Sequence, residues 1–261
     1  MKKHLFSTLI LSTSFSLCSA GFAMETATTA AHDFAETDVS TPLQSLSLLH
    51  SLNAVNELVD VRAPQVYELK NHRHVRTLFV ENPALPMVDI QLTFNAGSAR
   101  DAEIEKGLFG VANMAAQLID EGTKRYKAEE IAAAFETTGA RFSTTAYRDM
   151  FVVRLRTLSD PQKMQTAVKM MLEILKHATF ERSNIQRVQS NTQIGQKQLQ
   201  ENPSRLMNIR LYRAIYGQHA YSEPITGTNG SIKRIQPKHL QQFRDQLLVA
   251  QNMNIAITGK L

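Results

Sequence analysis

Histidine, whose imidazole binds metals and transfers protons, is the residue whose spacing first suggests chemistry in this sequence. The chain has eight histidines, and His72 and His74 occupy alternate positions, so both could project from one face of a strand. Two imidazoles without a nearby acid or thiolate make a weak metal site. A surface hairpin turn is therefore the preferred interpretation of this pair.

The other candidate groups do not form a catalytic set. His219 and Tyr221 lie close together in sequence, but no nucleophile is identifiable beside them, and a structural role is preferred. His177 falls at the end of a predicted helix, where a partly charged imidazole suits the dipole. No Ser–His–Asp set, glycine-rich phosphate loop or cysteine–histidine pair is present. We therefore assign no catalytic residue.

The single cysteine lies in the N-terminal segment. A short basic start is followed by the apolar run Leu5–Leu17 and by Cys18–Ala23, which ends in small residues. This order is typical of a secretory signal peptide, and the apolar run is too short for a stable membrane span. We predict a signal peptide over 1–23, cleaved after Ala23 or alternatively after Ala20, and export, most simply to the periplasm. No membrane span is expected after cleavage.

The composition is that of one folded domain. The chain has 261 residues and a formal net charge of +5, from Lys+Arg 29 and Asp+Glu 24. A charge this small and dispersed does not indicate nucleic acid as a partner. Residues 24–62 are predicted to be a linker, in which leucines and valines at helical spacing suggest either a short helix or a chance pattern. Residues 63–261 are predicted to form the domain.

Periodicity predicts the elements that must position any functional group. Strands are predicted near Val66 and at 75–80, 87–94, 140–146, 149–157 and 253–257, and helices at 107–121, 128–138, 164–175, 181–200, 203–216 and 237–248. The segment 217–230 reads as a loop. Sequential strands and grouped helices predict an α+β fold, a mostly antiparallel sheet with helices packed on one face.

An ordered set of short segments carries a family resemblance. The segments are Leu85–Ile90, Asn95–Arg100, Gly107-Leu108, Asp120–Thr123, Ala128–Gly139, Tyr216–Tyr221, Gly227-Thr228 and Asn252–Gly259. Together they resemble the pitrilysin/insulinase family of zinc peptidases, over about 64–260. The resemblance implies the half-domain fold of pitrilysin and the processing peptidases.

The same resemblance implies a zinc motif, His-x-x-Glu-His, on the first helix after Gly-Leu-x. Two histidines one helical turn apart bind zinc, and the glutamate acts as general base on the metal-bound water. In this sequence the three positions hold Gly110, Asn113 and Met114. Glycine has no donor, the asparagine amide is not a base, and a thioether is a poor zinc ligand.

The family's third ligand, a glutamate from a later helix, also has no counterpart. No Asp or Glu occurs between Glu181 and Glu201, where Gln193 and Gln196 stand instead. We therefore expect no zinc and no other cofactor on this chain, with zinc only on a partner subunit.

The chain most resembles the first half of zinc-less partner subunits in bacterial two-chain peptidases, with the α-subunit of the mitochondrial processing peptidase as a more distant analogue. This implies a non-catalytic subunit that pairs with a zinc-bearing subunit to enclose extended peptides for proteolysis. Three alternatives remain open at this stage. They are a zinc metalloendopeptidase with unorthodox ligands such as His72, His74 or His219, a stand-alone peptide-binding module, and a truncated gene product.

One strand is a candidate for peptide binding. In the family the corresponding strand is a sheet edge that holds extended substrate through backbone hydrogen bonds, a mode that needs no zinc. The alternative is an ordinary edge strand on which Arg141 discourages aggregation. The candidate residues are Ala140, Arg141, Phe142, Ser143, Thr144 and Thr145.

Overall fold

The computed structural model of the chain describes residues 63–70 and 75–260. The predicted signal peptide at 1–23, the predicted linker and short helix within 24–62, and the histidine pair His72 and His74 lie outside these residues. Within the described part, no helix combines the length and the apolar character that a membrane crossing requires.

Six strands of the described chain form one sheet. They are β1 (Val66–Leu69), β2 (Thr77–Glu81), β3 (Met87–Phe94), β4 (Arg141–Ala146), β5 (Phe151–Leu158) and β6 (Met253–Gly259). Their order across the sheet is β1-β2-β6-β3-β5-β4. The pair β2–β6 is parallel and the other four pairs are antiparallel, which confirms the predicted mostly antiparallel sheet.

The alternating pattern of β3 separates the two faces of the sheet. Val88 and Leu92 are buried. On the opposite face, Asp89 pairs with Arg156 of β5 at 2.7 Å, and both side chains are about half exposed. One face therefore meets the core and the other meets solvent, as the alternation predicts.

Eight α-helices are described. They are α1 (Asp101–Ile104), α2 (Val111–Leu118), α3 (Ala128–Thr138), α4 (Pro161–His177), α5 (Arg182–Gln200), α6 (Pro203–Tyr216), α7 (Asn229–Arg234) and α8 (Pro237–Leu247). Single 3-10 turns occur at Ser98–Arg100, Ala220–Ser222 and Ala250–Asn252. Buried side chains of the helices form one core with the apolar face of the sheet, so the predicted α+β class is confirmed.

The first long helix is shorter than its sequence pattern predicts. The predicted helix ran from 107 to 121, whereas α2 begins at Val111 and ends at Leu118. Gly107 and Gly110 adopt φ of +72° and +95°, values that a right-handed helix does not contain. Residues 107–110 are therefore a loop, and the apolar spacing at Leu108 reflects burial rather than helix.

The predicted loop at 217–230 is also partly wrong, because α7 begins inside it. Thr228 accepts the Ser231 N–H at 3.2 Å and donates its own N–H to the Ser231 hydroxyl at 3.0 Å. This reciprocal cap satisfies N–H groups at the start of α7. With six residues, α7 is too short to show a helical period in the sequence. The capping pair Thr228 and Ser231 is the sequence signal from which it could have been predicted.

Candidate functional site

The loop that replaces the start of the predicted zinc helix is held by a buried acid. Asp101 is fully buried, and its carboxylate accepts the N–H groups of Gly110 at 2.7 Å, Val111 at 3.1 Å and Ala112 at 2.9 Å. Burial raises the pKa of Asp101 to about 7, while the three backbone hydrogen bonds act in the opposite direction. Asp101 thus caps the first turn of α2. This role could not be predicted from the sequence, because Asp101 lies nine residues before Gly110.

Gly110, at the first position of the degenerate motif, lies against the backbone of a distant loop. A Cβ on Gly110 would lie 2.9 Å from the Thr226 carbonyl oxygen and 3.1 Å from the Gly227 Cα. Gly227 has φ +74°, and a Cβ there would overlap the carbonyl group of Phe109. The two glycines therefore allow two backbone segments to touch where the family carries a ligand side chain.

The other two motif positions lie on α2 without supplying a zinc donor. Met114 is buried, with 2% of its surface exposed, and belongs to the hydrophobic core. Asn113 is partly exposed. Asn113 and Met114 lie on the first turn of α2, whereas Gly110 lies in the loop immediately before it. These residue types do not fit a catalytic zinc.

Glutamines on α5 occupy the stretch where the third ligand was expected. Gln196 donates its side-chain N–H to the Gly227 carbonyl at 2.9 Å. Gln189, two turns earlier, donates to the carbonyls of Ile232 at 2.8 Å and Ile235 at 3.0 Å. Gln193, between them, is half-buried. The α5 side chains that face this loop therefore bind backbone carbonyls.

Two side chains of α7 also form hydrogen bonds with the loop at 107–110. The Ser231 hydroxyl, in a residue only 3% exposed, donates to the Phe109 carbonyl at 2.7 Å. The Arg234 guanidinium donates to the Gly107 carbonyl. The degenerate site is thus enclosed by contacts between α2, α5 and the segment from Gly227 to Arg234.

No alternative metal cluster is found in the described chain. Across 63–70 and 75–260, no three His, Cys, Asp or Glu side chains converge as a metal site would require. His219 uses Nδ1 to accept the Tyr221 N–H at 3.2 Å, which caps a turn. Its partners in the rival ligand set, His72 and His74, lie outside the described residues.

The candidate peptide-binding residues lie at one edge of the sheet. β4 pairs with β5 and is the terminal strand of the described sheet, with Ala140 immediately before it. Arg141 and Ser143 are exposed. The Thr144 hydroxyl donates to the Ala116 carbonyl of α2 at 2.6 Å, and the Phe142 ring stacks on the Phe135 ring at 5.2 Å. The edge strand is therefore fixed to the helices, while no strand of the described residues pairs with its other side.

Next to this edge, Arg148 and Asp149 of the β4–β5 turn contact aromatic side chains of α6 and of the loop that follows it. The Arg148 guanidinium lies 4.3 Å from the Tyr212 ring centre and donates to the carbonyls of Tyr221 at 2.7 Å and Glu223 at 3.1 Å. The Tyr221 hydroxyl donates to the Asp149 carboxylate. His219 and Tyr221, singled out from sequence, therefore serve to anchor their loop to this turn.

Comparisons with known proteins bear on the whole described domain. A family model described as Insulinase (Peptidase family M16) matches residues 76–229. A Rickettsia bellii protein named as an uncharacterized zinc protease is 24% identical over 196 residues, 75% of this chain and 46% of its own length. A Helicobacter pylori protein named Non-peptidase homolog YmxG is 22% identical over 191 residues, 73% of this chain and 43% of its own. The chain thus spans less than half of these relatives.

Solved structures give the same picture. A peptidase M16 inactive domain from Pseudomonas fluorescens superposes with a TM-score of 0.71 at 32% identity, over 76% of this chain and 47% of that one. The first half of the periplasmic protease PqqL from Escherichia coli superposes with a TM-score of 0.65 at 17% identity, over 76% and 44%. At 17% identity, the comparison with PqqL gives information about the fold alone.

Proposed function

Because the chain belongs to the insulinase (M16) family of peptidases, we propose that it is a non-catalytic member that helps another subunit cleave peptides. In this proposal a zinc-bearing subunit of the same family supplies the metal and the general base. The present chain supplies part of the wall of a peptide-enclosing chamber and carries no zinc or other cofactor of its own.

The observation that carries the proposal is the state of the degenerate motif. Gly110 stands at the first ligand position with the backbone of Thr226 and Gly227 against it, and Met114 is part of the core. A water molecule activated by zinc needs three protein donors and an open coordination position. The residues at 110, 113 and 114 offer none of the required donors.

Two features support a partner. The Helicobacter relative is named a non-peptidase homolog and the Pseudomonas structure an inactive domain, and this chain spans about half of each. In addition, α6 exposes Met207, Leu211 and Ile215, which are 69%, 50% and 63% exposed at a spacing of four residues. An exposed apolar stripe of this kind is typical of a surface that contacts another protein.

The edge strand β4 supports the peptide-binding part of the proposal. An extended peptide adds to a sheet edge through main-chain hydrogen bonds, and those bonds require an unpaired edge rather than a metal. The described sheet has such an edge at Arg141–Ala146. Export to the periplasm, proposed from the signal-like segment at 1–23, would place this edge among extracytoplasmic peptides.

We expect the same genome to encode a family member with His-x-x-Glu-His, and the proposal is tested with that protein and the purified chain. We expect the chain alone to leave a quenched-fluorescent peptide library uncut with and without added zinc. We expect the two proteins to co-elute in size-exclusion chromatography and to cut peptides faster together than the zinc-bearing subunit does alone. Zinc-dependent, chelator-sensitive cleavage by the chain alone would overturn the proposal.

A second candidate is a peptide-binding module that works alone, which the free edge of β4 also favours. The same proteins separate the two. Binding of labelled peptides by the isolated chain, with neither co-elution nor any change in the cleavage rate of the zinc-bearing subunit, would select the stand-alone module.

A further inference from the structure

The loop from Pro224 to Thr228 contacts both α5 and the start of α2, the helix that carries the degenerate zinc motif. The Gln196 amide of α5 donates to the Gly227 carbonyl at 2.9 Å. Gly227 in turn lies against Gly110, since a Cβ on either glycine would be 3.1 Å from the Cα of the other. We call Gly110, Gly227 and Gln196 the α2–α5 link, because these three residues join the two helices through backbone and amide contacts.

The loop backbone in this link is itself held in place. The Gly227 N–H donates to the Pro224 carbonyl at 2.8 Å, and the following residue, Thr228, caps α7. Ser231 of α7 then donates to the Phe109 carbonyl at 2.7 Å, next to Gly110. A side chain at position 110 would therefore meet a loop that is fixed on both sides rather than a flexible side chain that could move away.

Two separate obstacles stand against a side chain at position 110. Gly110 has φ +95°, a region that residues with a Cβ rarely adopt. The Cβ position is also 2.9 Å from the Thr226 carbonyl oxygen, closer than carbon and oxygen atoms normally approach. A histidine would have to change the backbone of 107–110 and displace the backbone of 226–227 at the same time.

We infer that the α2–α5 link has replaced the metal as the connection between these two helices, so that restoring His-x-x-Glu-His does not restore a zinc site. Asp101 contributes by holding the Gly110 N–H at 2.7 Å. Gln196 is a positioning residue, since it acts through the Gly227 carbonyl. No partner subunit or peptide takes part in these contacts, so failure of the chamber proposal would leave the link intact.

The first test compares alanine substitutions at four glycines by thermal unfolding of the purified chain. Gly110→Ala and Gly227→Ala each place a Cβ on a residue that has a positive φ, and that Cβ also clashes with neighbouring backbone. Gly139→Ala is the matched control for backbone strain alone. Gly139 shares the left-handed conformation of Gly110, with φ +67° and ψ +23° against φ +95° and ψ +6°, and its Cβ position meets only the Leu158 side chain at 3.7 Å. Gly230→Ala, in α7 and with open space around its Cβ position, controls for the substitution itself.

We expect Tm losses of roughly 5–10 °C for Gly110→Ala and Gly227→Ala, against about 2–4 °C for Gly139→Ala and almost none for Gly230→Ala. We expect Gln196→Glu to lower Tm as well, because a carboxylate cannot donate to the Gly227 carbonyl, and Gln193→Glu, its neighbour on α5, to lower it less. Equal Tm values for Gly110→Ala and Gly139→Ala would overturn the inference.

The second test rebuilds the motif together with the missing acid, as G110H/N113E/M114H/Q193E and separately as G110H/N113E/M114H/Q196E, and measures bound zinc by elemental analysis after dialysis against zinc. All three ligand types are then present, so only the link can prevent binding. We expect both rebuilt chains to hold far less than one zinc per molecule and to melt below the unmodified chain. One tightly bound zinc per chain with an unchanged Tm would overturn the inference. If the rebuilt chains do not fold, the comparison of Gly110→Ala with Gly139→Ala still decides.

Discussion

The buried Asp101 carboxylate accepts the Gly110 N–H at 2.7 Å, although the two residues belong to separate elements. Among the described residues no basic side chain forms a salt bridge with Asp101, so the three backbone N–H groups and the N-terminus of α2 stabilise its ionised form. This arrangement makes the stability of the domain sensitive to pH.

Stability should fall as pH rises through neutrality. The pKa of Asp101 is raised from 3.8 to about 7, so its contribution is fully present below pH 3.8 and is lost as pH rises through 7. Asp101→Asn should remove this dependence. The amount by which the free energy of unfolding falls from pH 5 to pH 8 should be smaller in the variant than in the unmodified chain by roughly 2.5 kcal/mol. Urea unfolding at the two pH values measures it.

The comparison is matched, because both proteins keep His239, whose pKa is lowered by burial and whose contribution is instead lost as pH falls. Equal pH dependence in the two proteins would show that Asp101 does not titrate in this range.

Arg148 should matter to stability far more than the other arginines of its hairpin. Arg148→Ala removes two hydrogen bonds to the carbonyls of Tyr221 and Glu223 and the contact with the Tyr212 ring, which we expect to cost about 2–3 kcal/mol. Arg141→Ala, at an exposed position on β4, is the control and should cost less than about 0.5 kcal/mol. Urea unfolding measures both.

Arg148→Lys separates charge from geometry. In Arg148 one nitrogen, Nη1, donates to both carbonyls while the planar guanidinium lies on the Tyr212 ring. Lysine keeps the charge but has no planar group to stack on the ring while it donates, so most of the loss should remain. Full recovery by lysine would mean that charge alone accounts for the effect of Arg148.

Peptide binding should depend on the backbone of β4. In the β4–β5 register the Tyr147 N–H donates to the Met150 carbonyl, so pairing alternates and the Thr144 N–H points away from β5, to the free edge. Thr144→Pro removes this N–H, and we expect it to weaken binding of a labelled, unstructured peptide by at least about tenfold. Thr144→Ala is the control, because it loses the same hydroxyl bond to Ala116 but keeps the N–H, and it should leave binding unchanged. Fluorescence anisotropy measures binding, and circular dichroism verifies that both variants are folded. Unchanged binding by a folded Thr144→Pro variant would exclude this edge.

Export should remove the N-terminal segment. When the full chain is expressed in a Gram-negative bacterium, we expect a periplasmic protein whose N-terminal residue is Met24, or Gly21 if cleavage follows Ala20. Intact mass and N-terminal sequencing measure this. A cytoplasmic chain that retains Met1 and the full 29.3 kDa mass would contradict export.

The sequence predicts elements well where one local pattern decides them. α3 begins and ends where it was predicted, because Gly139 ends it in the left-handed conformation, at φ +67°. β3 follows from its alternation alone. The start of α2 was predicted wrongly, because an apolar stripe continues through Gly107 and Gly110 although their φ values exclude a helix.

The candidate site divides in the same way. The substitutions at Gly110, Asn113 and Met114 can be read directly from residue types and spacing. The contact between Gly110 and Gly227, and the bond from Gln196 to the Gly227 carbonyl, cannot, because they join segments far apart in sequence. Only the folded chain brings such segments together.

The position of β6 has a consequence for how this protein is made. β6 lies between β2 and β3, so the two N-terminal strands of the sheet cannot be joined to the rest until Met253–Gly259 has left the ribosome. Non-local strand pairing of this kind slows folding and leaves strand edges exposed in the meantime. Until Met253–Gly259 is in place, the edges of β2 and β3 that it covers are open to pairing with other chains.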